Sequence, residues 1–242
     1  MNPNDRSIVG LVMAAHAMVH TYELSIPVLI PIWLGEFDVI NLGITQFPVN
    51  EATLGALVTA GYALFGLGAL PSGVLVDRLE ARRLITACLL GMGVSFLLLA
   101  VAPSPLAIGL ALVVWGVAAS VYHPSGLSLI SRGVTQRGHA FAYHGMAGNV
   151  GIAVGPFVTI LLLLVFDWRL VVGLLAVPAA VAAVAAVRVD IDEYAAVSNG
   201  GSGRASSDID SLADFLADAK MLFASAFAVV FLVTFFSGLY YR

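Results

Sequence analysis

The chain has 242 residues, of which 60% are hydrophobic and 11% charged, with a formal net charge of −4 and a mean hydropathy of +0.97. A soluble domain carries about 25% charged residues, so this chain lacks the charge to cover a globular surface. That excludes an ordinary soluble enzyme, a disordered tail and a nucleic-acid binder with a basic face, and it makes a bilayer the natural solvent. One span with its loop takes roughly 30–35 residues when about 20 of them cross the hydrocarbon, which leaves room for about seven helices. The single cysteine, Cys88, has no partner for an intrachain disulfide.

The first apolar stretch, residues 7–34, is too long for a cleaved leader and is interrupted by His16, His20 and Glu23, so it reads as a retained helix. Residues 52–76 carry no formal charge and predict the second span. The uncharged run 84–131 is divided by Ala102-Pro-Ser-Pro105 into third and fourth spans joined by a tight turn. Residues 138–166, 170–187 and 221–241 predict spans five, six and seven. Nine of the eleven basic residues fall on one side: Arg6, Arg78, Arg82, Arg83, Arg132, Arg137, Arg188, Arg204 and Lys220. The opposite loops hold Glu36, Asp38, Glu51, Asp167 and Arg169. Basic loops stay in the cytoplasm, so the expectation is a multi-pass protein of the plasma membrane with its amino terminus inside.

Residues 190–218 change in character. Asn199-Gly-Gly-Ser-Gly203 is a linker, and Asp208, Asp210, Asp214 and Asp218 follow with Leu212, Phe215 and Leu216 interleaved. The segment reads either as a short amphipathic stretch on the cytoplasmic face or as a solvated acidic linker. The expected organisation is an all-α membrane protein: a six-helix bundle over 1–189, a cytoplasmic linker over 190–218 and one further helix over 219–242.

At the end of the second span the sequence runs Gly73-Val-Leu75-Val-Asp77-Arg78-Leu-Glu80-Ala-Arg82-Arg83. A glycine permits close helix approach, an aspartate at the membrane border can be hydrated or paired, and the arginines anchor to lipid phosphate. This pattern resembles the signature loop of the major facilitator superfamily, with Glu80 where that family usually has a second glycine. In the fifth span, Gly148, Gly151 and Gly155-Pro156 follow His144 at spacings of 4, 7 and 11, which places all of them on one helical face. The stripe suits backbone-to-backbone packing in any polytopic protein, and it resembles the glycine-proline motif of drug/proton antiporters in the same superfamily. Asp167-Trp168-Arg169 is similar to the tryptophan-arginine pair that opens the sixth helix of many facilitators. Tyr122-His123-Pro124-Ser125-Gly126, with the glycine-rich helix after it, resembles the fosmidomycin-resistance-like efflux subgroup.

Ionisable residues inside the membrane are the candidates for chemistry, because a charge at mid-bilayer costs about 2.5–3.5 kcal/mol on insertion scales. His16, His20 and Glu23 stand at i, i+4 and i+7 on one face of the first helix. Glu23 with His20 makes a proton relay, and His16 reads as an interhelical hydrogen-bonder. The resemblance implies a six-helix half made of three-helix inverted repeats, in which the first and fourth helices are equivalents that line a central cavity. Glu23, His20 and His123 then converge as proton-coupling residues, and Tyr22, Tyr122, His144 and Asn149 follow as substrate-cavity candidates. Gly73, Asp77, Arg78, Arg82, Arg83, Gly151, Gly155 and Pro156 form the gating and structural motifs.

No metal site is expected, because no cysteine or second acidic residue accompanies His16 and His20 within their helix. No phosphate-cradling loop is present, so no nucleotide cofactor is expected and ion-gradient coupling remains. The reading is a secondary active transporter, a proton-coupled exporter of a small organic solute with no partner among nucleic acids. Six spans plus one further resemble a facilitator cut just after its midpoint, which would need a missing second half or another polypeptide to rock against. Two alternatives stand beside it. One is an intramembrane serine hydrolase built on Ser125 or Ser237 with His123 or His144 as base. The other is a non-transporting membrane sensor or fragment.

Overall fold

The structure, a computed structural model, describes residues 1–198. The Asp208–Asp218 acidic segment, Ser237 and the seventh span over 219–242 lie outside the described residues. Within them the order is α1 (Pro3–Glu36), β1 (Val39–Asn41), β2 (Gln46–Pro48), α2 (Glu51–Leu67), α3 (Ala69–Arg78), α4 (Ala81–Ala100), α5 (Pro105–Ser120), α6 (Tyr122–Gly133), α7 (Arg137–Leu163), α8 (Trp168–Arg188) and α9 (Ala195–Ser198). Five spans are long and apolar enough to cross a membrane, α5 and α6 counting as one, and α2 with α3 makes a sixth across a 41° bend.

Helix starts follow local capping. The Asn2 side chain accepts from the Asp5 amide with Pro3 in the first turn, and Asn50 and Thr53 form a capping box at α2. Ser104 caps α5 with Pro105 at its first position, which is why Ala102-Pro-Ser-Pro105 both ends one span and begins the next. Asp167 accepts from the Arg169 and Leu170 amides to open α8.

The second and fourth spans, expected as continuous, are each broken. The breaks fall at Leu67–Gly68 and Ser120–Val121, four residues ahead of Pro71 and Pro124. A proline supplies no N–H to the carbonyl four residues earlier, so Leu67 and Ser120 lose that helical bond. The two breaks meet: a Cβ on Gly68 would lie 2.6 Å from Ser120 Oγ. The short β1–β2 hairpin between the first two spans was not anticipated. It pairs Val39 with Pro48 and turns at Gly43, whose φ of +86° is the only positive one among the described residues.

The most extensive helix interfaces are α1 with α7, α4 with α8, and α2 with α5. In order of spans these are one with five, three with six, and two with four. Exchanging spans one, two and three for four, five and six returns the same set, which is the contact signature of a three-helix inverted repeat. Small residues line both repeat-related seams. A Cβ on Gly148 would meet the His16 ring at 2.5 Å, one on Gly155 would meet the Thr21 carbonyl oxygen at 2.5 Å, and one on Gly151 would overlap the backbone of Ala17. On the other seam Gly61 and Gly116 stand backbone to backbone.

The loops predicted to share a side share one end of the bundle. Asp5, fully buried, accepts from Thr135 Oγ1 at 2.7 Å and from the Thr135 and Gln136 amides. Arg132 donates to Asp77 at 2.5 Å, and Arg82 donates to the Val189 carbonyl at 2.8 Å. Asn4 is bonded to Asp192 backbone groups, and Glu193 caps α4 by accepting from the Ala81 and Arg82 amides, both at 2.8 Å. At the opposite end Arg169 pairs with Glu36 at 2.6 Å, the Trp168 indole N–H donates to the same carboxylate, and the Arg169 guanidinium lies over the Trp168 ring.

Candidate functional site

The site grows from the middle of α1. His20 stands 17 residues after Pro3 and 16 before Glu36, so it lies about 25 Å from either end of the helix at 1.5 Å per residue. One turn of spacing on either side places His16 and Glu23 on the same face, and the three side chains form a chain. His20 Nδ1 stands 2.6 Å from Glu23 Oε2, and His20 Nε2 stands 3.0 Å from His16 Nε2. His16 Nδ1 donates to the His144 carbonyl oxygen at 2.7 Å. Side chains of His20 and Glu23 keep 17% and 21% of their exposure, so the chain of groups runs from a partly open end into a buried one.

Two further histidines close around it. The His123 ring lies 5.2 Å from that of His16 and 5.6 Å from that of His20, and His144 stacks on His16 at 3.8 Å. His123 arrives because Pro124 breaks the fourth span beside it, turning the start of α6 toward α1. His144 arrives because Gly148 leaves room for the His16 ring one turn along α7. Tyr62 of α2 donates to the Glu23 backbone carbonyl at 2.5 Å, and Phe65 stands 5.9 Å from His123, so the second span forms another wall.

The structure thus gathers Glu23, His20, His123 and His144. His16, expected as an interhelical hydrogen-bonder, makes that bond to α7 through His144 and is also the hub, with ring contacts to His20, Tyr122, His123 and His144. Its i, i+4 spacing to His20 marks the pair, whereas its contacts to His123 and His144 depend on how α6 and α7 pack. Tyr62 has no comparable mark in the sequence, since its approach depends on how the second span packs.

Other candidates stand differently. Tyr22 and Tyr122 are fully buried, and each donates its hydroxyl to a backbone carbonyl at 2.5 Å, Leu175 and Val12 respectively. They pin helices together and do not present free hydroxyls to a cavity. Asn149 is exposed and bonded to the Gly145 carbonyl of its own helix. Gly73 faces open space among the described residues, so its role there is not close packing. Glu80 begins α4 with an extended backbone (φ −63°, ψ 131°) and pairs with Arg83, so this turn does not demand a glycine. Ser125 is fully buried and its hydroxyl donates to the Val121 carbonyl at 2.7 Å.

Comparison with known proteins bears on this bundle. The sequence model described as Major Facilitator Superfamily matches residues 5–241. The puromycin resistance protein pur8 of Streptomyces alboniger is 35% identical over 116 residues, which is 47% of this chain and 23% of that protein. A crystal structure of a bacterial homologue of the human lysosomal transporter Spinster, inward-facing and occupied, superposes with a TM-score of 0.64 at 17% identity. It covers 81% of this chain and 47% of its own. A peptide transporter POT in complex with sulfate gives 0.61 at 17% identity, over 74% of this chain and 37% of its own. The chain therefore spans less than half the length of these two solved transporters.

Proposed function

The chain belongs to the Major Facilitator Superfamily, and on that premise we propose that it acts in proton-coupled export of a small organic solute. It is an integral multi-pass membrane protein of a transporter family. In the proposed mechanism Glu23 takes up the proton, His20 passes it inward, and His123 faces the same group from the fourth span. Protonation removes a part-buried charge, and a neutral carboxyl lets the bundle close on one side. Solute arriving from the other side favours release of that proton.

The observation that carries this reading is the Glu23–His20–His16 chain at the middle of α1, linked at 2.6 Å and 3.0 Å. A carboxylate beside imidazoles, part-exposed at one end, has the donors and acceptors of a proton path. Export is supported by the resistance relative and by the Tyr122-His123-Pro124-Ser125-Gly126 likeness to the fosmidomycin-resistance-like subgroup. The amino terminus then lies in the cytoplasm of a plasma-membrane protein, with Asp77, Arg78, Arg82 and Arg83 at the cytoplasmic end. In this proposal residues 1–189 serve as the amino-terminal bundle and 190–218 as a linker whose first residues, Asp192 and Glu193, are bonded back onto that bundle, while residues 219–242 lie outside the described residues. A second half, or another polypeptide, supplies the surface against which the first bundle rocks.

The test is substrate-driven proton flux in proteoliposomes that hold the chain together with the polypeptide completing the second bundle, read with an internal pH dye. Puromycin, the compound in the resistance relative's name, heads the panel of solutes. Flux should appear with wild type and vanish in Glu23→Gln while solute binding persists. Undiminished flux in Glu23→Gln sinks the assignment.

A further inference from the structure

The tautomers of the histidine chain constrain what can lie between His16 and His20. A backbone carbonyl only accepts, so His16 Nδ1, 2.7 Å from the His144 oxygen, carries a hydrogen and leaves Nε2 with a lone pair. His20 Nδ1, 2.6 Å from Glu23 Oε2, carries a hydrogen when that carboxylate is ionised, and its Nε2 is then a lone pair as well. These two Nε2 atoms face each other at 3.0 Å. Two lone pairs at that distance repel unless a cation sits between them.

A proton bridges two nitrogens. Here a third imidazole converges: the ligand atoms of His16, His20 and His123 all lie within 4.8 Å of one another. Three nitrogens bound to one zinc ion at about 2.0–2.1 Å stand roughly 3.4 Å apart in tetrahedral geometry. The His16–His20 pair is already near that spacing, and His123 reaches it by a side-chain adjustment. The surroundings match what metal-bound histidines use. His20 is held through Nδ1 by a carboxylate and His16 through Nδ1 by a backbone carbonyl, the two partners that fix ring orientation and raise basicity in metal sites. Glu23 also brings a compensating negative charge, and the partial exposure of His20 and Glu23 gives an ion a way in. No metal was expected because no cysteine or second acidic residue accompanies His16 and His20 within their helix; the broken fourth span brings a third imidazole from another.

We propose that His16, His20 and His123 form a binding site for one divalent transition-metal ion of the zinc class, with three imidazole ligands and a fourth position open. Imidazole donors without thiolate favour zinc, cobalt, nickel or copper over magnesium or calcium. The proposal does not depend on the transport reading, because binding is measured without a gradient or a solute.

The experiment titrates the purified full chain in detergent with cobalt(II) as the spectroscopic probe and then zinc(II) as its competitor. One equivalent of cobalt should bind with the intense visible absorption of a four-coordinate ion, and zinc should displace it. X-ray absorption on the zinc-loaded wild type should show three imidazoles at about 2.0–2.1 Å; this measurement requires no variant to fold. Glu23→Gln should weaken binding by about 10–100-fold, and His123→Ala or His20→Ala by at least as much, in samples whose helical circular dichroism matches wild type. His139→Ala, which alters the exposed fifth histidine, should bind as wild type does. Absence of stoichiometric cobalt binding would mean that the His16–His20 pair holds only a proton and would overturn the proposal. A zinc shell of oxygen donors, or affinity undiminished in folded His123→Ala, would overturn it equally.

Discussion

Gly155 of α7 lies against Thr21 of α1 so closely that a Cβ on the glycine would sit 2.5 Å from the threonine's carbonyl oxygen. The contact is held from both sides: Ser25 donates to the Thr21 carbonyl at 2.6 Å with the Gly155 carbonyl 3.2 Å away, and Thr159 donates to Ser25 at 2.8 Å. Because the obstacle is backbone, it cannot swing aside. Gly155→Ala should therefore cost about 1–3 kcal/mol through forced separation of the helices, seen as a lower Tm in detergent. Gly10→Ala, where a Cβ meets nothing within 4 Å, should instead gain about 0.4–1 kcal/mol by restricting the unfolded chain. Equal effects at the two positions would argue against backbone contact as the cause.

Asp5 supplies a second test. Its carboxylate takes hydrogen bonds from Thr135 Oγ1 and from the amides of Thr135 and Gln136, tying the start of α1 to the turn before α7. Asp5→Ala leaves those donors without their acceptor, at a cost of about 1–3 kcal/mol. Limited proteolysis at residues 134–137 should speed up in this variant, while helical content stays unchanged.

Glu193 acts over a long chain distance. Both its oxygens accept amide hydrogens at the start of α4, from Ala81 and Arg82 at 2.8 Å each, in place of the missing side-chain cap from Glu80. Glu193→Ala should cost about 0.5–2 kcal/mol, the range for loss of a helix cap. Hydrogen exchange should accelerate at the Ala81 and Arg82 amides specifically, and unchanged exchange there would count against the cap.

Tyr122→Phe separates packing from solute binding. The hydroxyl donates to the Val12 carbonyl in a fully buried place, so its removal should lower stability by about 0.5–1.5 kcal/mol. In a transport assay the KM for solute should stay at the wild-type value. A raised KM with unchanged stability would return Tyr122 to the cavity.

The fold was largely legible because its signals are one-dimensional. Uncharged runs of sufficient length, the proline-bounded turn at 102–105 and the basic loops on one side each depend on residues close in sequence. The glycine face from His144 to Gly155 was legible for the same reason: helical periodicity alone places those residues on one stripe. What the sequence hid depends on contacts between distant segments. Nothing in the string says that Pro71 and Pro124 would break their spans while Pro27, Pro31, Pro156 and Pro178 leave theirs continuous. Likewise Asp192 and Glu193 look like the start of an acidic linker, yet they are bonded to Asn4, Ala81 and Arg82. Of the site, the His20–Glu23 pair was readable from spacing, whereas the centrality of His16 emerged only when α6 and α7 were placed around it.

The position of Gly148 ties the two levels together. A Cβ there would reach 2.5 Å from His16 Cε1 and 2.9 Å from Nδ1, so the imidazole occupies the volume that any larger residue would need. A residue with no functional group thereby sets the distance between two nitrogens on a neighbouring helix. A single added methyl would push the ring toward His20 or break its bond to the His144 carbonyl, changing the spacing of the histidine cluster without altering any of its donors. The residue without a side chain thus sets the geometry of the imidazoles beside it.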